Sequence, residues 1–334
     1  MPAANPTVVF TEPGRAVVER RSRPTPDPDE VVVETERSLV STGTELTVFS
    51  GDYPEGSHWD EYGTYPFVPG YCNVGTVVEA GDGADVAVDQ RVVSRGAHAR
   101  YVTVDADTCV PVPEGVSVDE AAFHTMAAVA MNGVRRSRLA WGEAVAVYGL
   151  GLLGQFAVRL ARVAGARPVV GVDLAPERLD LAPDGVRTVD PRETDPADVL
   201  RAASDGRLAD VTVEATGNPD AIVDELDSLR RQGRFVLLSS PRGETGFDFH
   251  DHCNWPSYEI VGAHDDSHPD VETPANPWTV ERNTELFFRY VADGDLSVAD
   301  LITHRHDVSE APAVYDSLLA DRTERLGVLF EWGE

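Results

Sequence analysis

Apolar and polar residues follow two different rhythms along this chain, and the change of rhythm divides it. Through the N-terminal third the runs are short and bounded by turn residues. Val31-Val-Val-Glu-Thr35 alternates around charges, Gly75-Thr-Val-Val-Glu79 leads to a Gly81-Asp-Gly83 turn, and Gln90-Arg-Val-Val93 leads to another glycine turn. Ala99-Arg-Tyr-Val-Thr-Val104 supplies a further strand, so this third is predicted to be β-rich. A helical stretch follows from Ser117, with Glu120 three residues on at the spacing of a capping box.

From Ala144 the rhythm becomes strand, helix, strand, helix. The stretch Ala144-Val-Ala-Val-Tyr148 is followed by a helical pattern to Gly165 and then by Pro168-Val-Val-Gly-Val172. Later strands are expected at Val211–Glu214, Phe235–Leu238 and Tyr258–Val261, with a helix from Pro219 to Gln232 between the first two. Such alternation specifies a parallel, doubly wound sheet in an α/β fold. Asp265 to Pro277, rich in proline and acidic residues, reads as a loop. A helix from Asn283 to Ala292, the stretch Leu301–His306, a helix from Ser309 to Leu319 and a last strand, Gly327–Trp332, complete the chain. At 334 residues it should hold two domains.

The junction of strand and helix at Tyr148 carries the strongest chemical signal. Gly149-Leu150-Gly151-Leu152-Leu153-Gly154 follows a strand and opens a helix, and Asp173 ends the next strand 19 positions after the last of these glycines. Gly149 allows a tight turn, Gly151 lets a pyrophosphate approach the backbone, and Gly154 lets helix and strand pack closely. The helix N-terminus presents unpaired N–H groups to phosphate. Asp173 would accept hydrogen bonds from the adenosine ribose and repel a 2′-phosphate. A dinucleotide is therefore expected, with NAD as the cofactor.

Composition bears on where the protein works. There is no lysine; the 28 basic residues are all arginine, set against 57 Asp plus Glu, for a formal charge of −29. Such an excess repels itself in dilute salt and keeps a protein hydrated in concentrated salt. We expect a cytoplasmic protein of a salt-accumulating organism, with nucleic acid and anionic membrane as poor partners. Cys72, Cys109 and Cys253 form no CxxC spacing and no disulfide framework. The N-terminal residues lack the basic and apolar segments of a secretion signal, and no apolar run is long enough to cross a bilayer.

Taken together, these residues resemble the medium-chain dehydrogenase/reductase superfamily of alcohol, sorbitol and threonine dehydrogenases. The landmarks are Ser41-Thr-Gly-Thr-Glu45, Pro69-Gly-Tyr-Cys-Asn-Val-Gly75, Asp89-Gln-Arg-Val92, the Gly149 fingerprint, Glu214-Ala-Thr-Gly217 and Gly233-Arg-Phe-Val236. The resemblance implies a GroES-like β-rich catalytic domain, residues 1–122 and 296–334, and a Rossmann nucleotide-binding domain, residues 123–295. It also implies that Arg178, Thr216, Gly217 and Ser239 join the fingerprint and Asp173 in holding the cofactor. Homo-oligomers are expected, dimers or tetramers joined at a sheet edge such as Tyr258–Val261.

Departures from the family touch its catalytic metal. Where zinc members have a cysteine ligand, Thr42 stands; Tyr71 and Cys72 replace their His-Glu pair, and Thr125 falls at the third ligand position. The lobe that carries a second, structural zinc is replaced by Arg91-Val-Val-Ser-Arg-Gly-Ala-His-Ala99. Thr and Tyr cannot match thiolate and imidazole as zinc ligands, so no metal is expected at that place. A relocated set, Cys72, His124, Glu45 and His58, is the competing arrangement, and His250-Asp-His252-Cys253 also has ligand residue types.

Without zinc, oxidising an alcohol still requires a proton acceptor. Thr42, Tyr71 and His124 are the candidate catalytic residues: a hydroxyl for orientation, a phenol to relay a proton, and an imidazole of near-neutral pKa. The expected function is NAD-dependent oxidation of a small-molecule secondary alcohol, a sugar, polyol or derivative. A zinc-free quinone or enoyl reductase and a non-catalytic NAD-binding protein are the alternatives.

Overall fold

The computed structural model describes residues 4–333. Its contacts separate the chain into two compact units, one running up to Thr125 and resuming at Thr284, the other spanning Met126–Asn283. The first unit opens with an antiparallel hairpin, β1 (Ala4–Glu12) and β2 (Arg15–Ser22), which the sequence pattern did not single out. Then come β3 (Glu30–Leu39), two short helices, α1 (Thr44–Ser50) and α2 (His58–Tyr62), and β4 (Asn73–Ala80). The strands β5 (Arg91–Ser94), β6 (Tyr101–Asp105) and β7 (Val110–Pro111) follow. At α3 (Val118–Ala121) both halves of the expected box form, Ser117 accepting from the Glu120 N–H and Glu120 from the Ser117 N–H. The boundary between units falls at the start of α4 (His124–Arg136).

The second unit is a six-stranded, fully parallel sheet of β8 (Val145–Tyr148), β9 (Val169–Val172), β10 (Val186–Val189), β11 (Ala209–Glu214), β12 (Leu229–Leu237) and β13 (Glu259–Gly262). Its spatial order, β10-β9-β8-β11-β12-β13, is doubly wound, with the reversal beside β8 and β13 at an edge. The helices α5 (Leu152–Val163), α6 (Pro176–Asp180) and α7 (Pro196–Ala203) connect its first strands. Val145, Val147, Val158, Val169, Val211 and Val236 form the centre of its core.

One expected element is corrected. In place of a helix over Pro219–Gln232 the chain forms only α8 (Ile222–Glu225) and a single 3-10 turn before β12 begins at Leu229. Ile222, Leu226 and Leu229 have helical spacing, yet Leu226 and Leu229 are buried against Phe235, and Leu229 already pairs with Ala209 as a strand residue. A bulge with Gln232 at φ 60° then resets the register so that Val211 pairs with Arg234.

The return to the first unit comes at Thr284, inside α9 (Val280–Ala292), twelve residues ahead of the expected 296. β14 (Ile302–Asp307), α10 (Ala311–Ala320) and β15 (Gly327–Glu331) complete that unit. Its larger sheet has the order β14-β15-β3-β4-β5-β7, with β6 also paired to β3. Phe10, Phe49, Tyr315 and Phe330 are its aromatic centre, with Tyr315 edge-on to Phe10 at 4.8 Å.

Candidate functional site

The glycine turn between β8 and α5 has the shape that its residues predict. Gly149 sits at φ 84°, where an added Cβ would lie 2.8 Å from the Ala215 carbonyl group. At Gly154 a Cβ would lie 1.7 Å from the Gly149 oxygen, so helix and strand meet there only without a side chain. Gly151 has nothing within 4 Å of that position, leaving open space over the backbone. It caps α5, whose first N–H groups, on Leu152, Leu153 and Gly154, have no preceding carbonyl within the helix. The Leu150 and Leu152 side chains are buried, so the leucines offer backbone to this face.

Asp173 closes the turn from the end of β9. Its Oδ2 accepts from the Leu150 N–H at 2.7 Å and its Oδ1 from the Ala175 N–H at 2.8 Å. The carboxylate is therefore aimed by the turn that it serves, and each oxygen keeps a further lone pair for a ribose hydroxyl. Arg178 Nη1 lies 3.7 Å from Oδ2. The open backbone at Gly151, the helix N-terminus and the oriented carboxylate fit the pyrophosphate and ribose of a nicotinamide dinucleotide.

Thr216, Gly217 and Ser239 gather at a residue that sequence reasoning left without a role. Glu214, fully buried at the end of β11, accepts from the Thr216 N–H (2.7 Å), the Thr216 hydroxyl (2.7 Å), the Gly217 N–H (2.8 Å) and the Ser239 hydroxyl. It shapes the loops that follow β11 and β12. Nearby Glu225 is buried with neither carboxylate oxygen hydrogen-bonded. Burial, and then the charges of Glu214 and Asp224, push its pKa up to about 9, so it holds its proton at neutral pH.

In the first unit, the Tyr71 hydroxyl donates to Ser41 Oγ at 2.5 Å or to Thr44 Oγ1 at 3.1 Å. Burial pushes this phenol well above its ordinary pKa. Thr42 is not part of the cluster; its carbonyl accepts from Arg322 Nη1 at 3.0 Å. The chain turns helically from Ser41, with the Glu45 N–H donating to the Ser41 carbonyl, so residues three apart share a side and Thr42 does not. The stretch 41–45 was visible in the sequence; which of its hydroxyls meets Tyr71 depended on that turn.

Behind the cluster lies a buried polar chain. Glu45 Oε1 accepts from the Ser41 N–H at 2.8 Å, while Oε2 accepts from Tyr315 and meets His98 Nε2 at 3.1 Å. His98 Nδ1 lies 2.7 Å from Ser38 Oγ, which accepts from Trp332 Nε1 at 2.9 Å. One set of donors satisfies every link: Trp332 to Ser38, Ser38 to Nδ1, and Nε2–H to Glu45. Nothing in the chain's spacing pointed to His98, which lies on the far side of β4 and β5 in sequence.

His124 corrects an expectation. It is buried, and burial followed by the Arg95 charge pushes its pKa down to about 3. It does not titrate near neutral pH; its ring lies 3.3 Å from the Thr125 hydroxyl, which donates to the Tyr71 carbonyl at 2.8 Å. The relocated metal set does not assemble either. Glu45 is taken up by His98, and His58 lies exposed on α2, 4.0 Å from Glu61. Among the described residues no three His, Cys, Asp or Glu converge to hold a metal ion, at Cys72, at His250–Cys253 or elsewhere. At the positions that the resemblance aligns with zinc ligands stand Thr42, Tyr71, Cys72 and Thr125, of which only Cys72 is an ordinary zinc ligand.

Known proteins resemble both parts of the chain. Residues 27–114 match the alcohol dehydrogenase GroES-like domain, and residues 153–263 match the zinc-binding dehydrogenase family. The second span lies within the α/β unit and contains none of Thr42, Tyr71 or Thr125. The chain is 30% identical over 290 residues to the D-guloside 3-dehydrogenase of Escherichia coli (strain K12), covering 84% of this chain and 81% of that one. It is 30% identical over 148 residues to the sorbitol dehydrogenase of Bacillus subtilis (strain 168), covering 44% and 42%. An alcohol dehydrogenase structure from E. coli CFT073, complexed with NADH, shares the fold with a TM-score of 0.80 at 18% identity, over 98% of this chain and 99% of that one. A GroES-like domain joined to a Rossmann-like parallel sheet is the architecture of a nicotinamide-dependent oxidoreductase. The chain belongs to the medium-chain dehydrogenase/reductase superfamily.

Proposed function

We propose that this protein is an NAD-dependent dehydrogenase that oxidises a secondary alcohol on a sugar, polyol or related molecule, without the family's catalytic zinc. The observation that carries the reading is the Tyr71–Ser41–Thr44 hydroxyl cluster, in which Tyr71 occupies a position that the resemblance aligns with a zinc ligand. Bound nicotinamide supplies the hydride acceptor. The chain must then orient the substrate hydroxyl and remove its proton.

Tyr71 suits this as a relay. Its raised pKa disfavours a free phenolate, so it takes a proton from the substrate hydroxyl only as it passes its own to Thr44. Half-exposed Thr44 hands that proton to water. Glu45, held by His98 and Tyr315, fixes the Ser41 backbone and with it the acceptor's position. For the cofactor, the Asp173 carboxylate favours ribose hydroxyls over a 2′-phosphate, which supports NAD. Relatives that act on a guloside and on sorbitol support a polyhydroxylated substrate.

The test is a screen of sugars, sugar glycosides and polyols for NADH production in molar salt. A hit should survive exhaustive chelation. Activity abolished by chelator and restored by zinc would overturn the metal-free reading, and NADPH-only turnover would overturn the cofactor assignment.

A further inference from the structure

We propose that the α/β unit carries a second anion site, built from arginines at the end of its sheet opposite the nucleotide turn, for a phosphate-type oxyanion. A cavity of about 270 Å³ is lined there by Arg162, Arg167, Arg187 and Arg207. Four arginines line one small cavity, so like charges are gathered around it, and Asp205 is the single acidic residue in its lining.

The surroundings make this grouping unusual. The chain has about two carboxylates for every arginine, and elsewhere in this unit arginines take them: Arg192 on Asp190, Arg230 on Asp210, Arg234 on Glu143. Among the described residues Arg162, Arg167 and Arg187 make no ion pair and no side-chain hydrogen bond. Arg207 spends only its Nε, on the Ser204 carbonyl at 2.9 Å, leaving its terminal nitrogens unused. The seat of Arg162 is also specific. Gly185 stands where a Cβ would fall 2.2 Å from Arg162 Nη1, so a glycine there lets the guanidinium fold over the loop.

Position separates this site from the cofactor's. Val169 starts β9, Gly185 precedes β10, and Ser204 to Arg207 precede β11, so the cavity lies at the amino ends of the strands. Gly149, Asp173 and Thr216 lie beyond the carboxyl ends, one strand length or roughly 13 Å away. An arginine fork matches the paired oxygens of phosphate, and a dianion offsets the mutual repulsion better than a monovalent ion. The shared chemistry is a phosphate group, free or carried on a small organic molecule.

This proposal rests on no part of the catalytic reading. Its test is titration of the full-length protein by calorimetry and phosphorus NMR, at fixed sodium chloride concentration and ionic strength, with saturating NAD present. The probes are inorganic phosphate and ribose 5-phosphate. One saturable site should appear, and the double variant Arg187→Gln/Arg207→Gln should weaken it about tenfold or more, since each lost charged hydrogen bond is worth about that factor. The variant changes exposed side chains, and its Tm without phosphate checks its folding. Arg20→Gln, an exposed arginine of β2, should bind as wild type does. Tighter binding of ribose 5-phosphate would place an organic group in the cavity, and equal binding would mark a site for the free ion. Phosphate giving no signal beyond that of added chloride would overturn the proposal, as would undiminished binding by the double variant. Either result would leave the dehydrogenase reading untouched.

Discussion

The nucleotide turn and the hydroxyl cluster around Tyr71 are assembled by different means. Apart from the Ala215 carbonyl packed against Gly149, the groups that shape the turn, from Gly149 to Asp173, come from one continuous strand–turn–helix–strand segment, and its tightest constraint is the contact of residue 154 with residue 149. The cluster instead brings Tyr71 to hydroxyls about thirty residues upstream and rests on Glu45, His98, Tyr315 and Trp332, drawn from both ends of the chain. The first is specified by steric exclusion at glycines, which tolerates no substitute. The second is specified by a buried network in which each polar group must find a partner. A buried titratable side chain accompanies each, and the two are shifted in opposite senses: His124 downward, Glu225 upward.

The sharpest way to break this comparison is Tyr71→Phe, which deletes the hydroxyl and keeps the ring. Turnover should fall about a hundredfold or more, with NAD affinity within about twofold of wild type. His124→Asn should leave turnover within a few-fold, since the imidazole stays neutral in the folded protein. Stopped-flow rates and calorimetric NAD titrations measure both, and the roles of the two residues would have to be exchanged if the outcomes were reversed.

Cofactor choice tests the other half. NAD should bind about a hundredfold more tightly than NADP, because a 2′-phosphate beside the Asp173 carboxylate meets repulsion in a partly desolvated place. Asp173→Ser should lower NAD affinity and shrink that ratio. Calorimetry with both cofactors in high salt gives the answer, and equal or tighter NADP binding by the wild type would refute the reading.

The opposite shifts predict opposite limbs in the pH dependence of stability. His124 has a folded pKa near 3 against an ordinary 6.5, so its contribution is complete above about 6.5 and is lost as pH falls towards 3. Glu225 has a folded pKa near 9 against 4.5, so its contribution is complete below about 4.5 and is lost as pH rises towards 9. His124→Asn should flatten the acid limb of Tm against pH, and Glu225→Gln the alkaline limb, each by a few degrees. A variant that shifts Tm equally at all pH values would show that its group does not titrate as described.

Salt should produce the broadest effect and, per group, the weakest. With 57 carboxylates and 28 arginines, Tm should rise from low to molar salt as surface repulsion is screened, each exposed charge contributing a few tenths of a kcal/mol. A flat or falling Tm would remove the high-salt reading.

Much of this architecture was legible without coordinates, because the signals were local. The capping box at Ser117, the parallel strands from Val145 onward and the glycine turn with Asp173 each depend on residues close in sequence, where backbone sterics and period decide the outcome. The failures were non-local. Ile222, Leu226 and Leu229 have helical spacing, yet pairing of Leu229 with Ala209 across the sheet outweighed it. Thr42 looked like the useful hydroxyl by its place in a familiar stretch, but the helical turn from Ser41 put Ser41 and Thr44 beside Tyr71 instead. His124 had an ordinary pKa until burial withdrew water from it, and His98 and Glu45 became partners only when β3, β4 and β5 had formed a sheet between them. Short-range spacing thus determined which unit takes the Rossmann-like form and which backbone shapes its glycine turn. Desolvation and long-range hydrogen bonding, which exist only in the folded chain, decided which side chains keep their protons and which hydroxyl receives one.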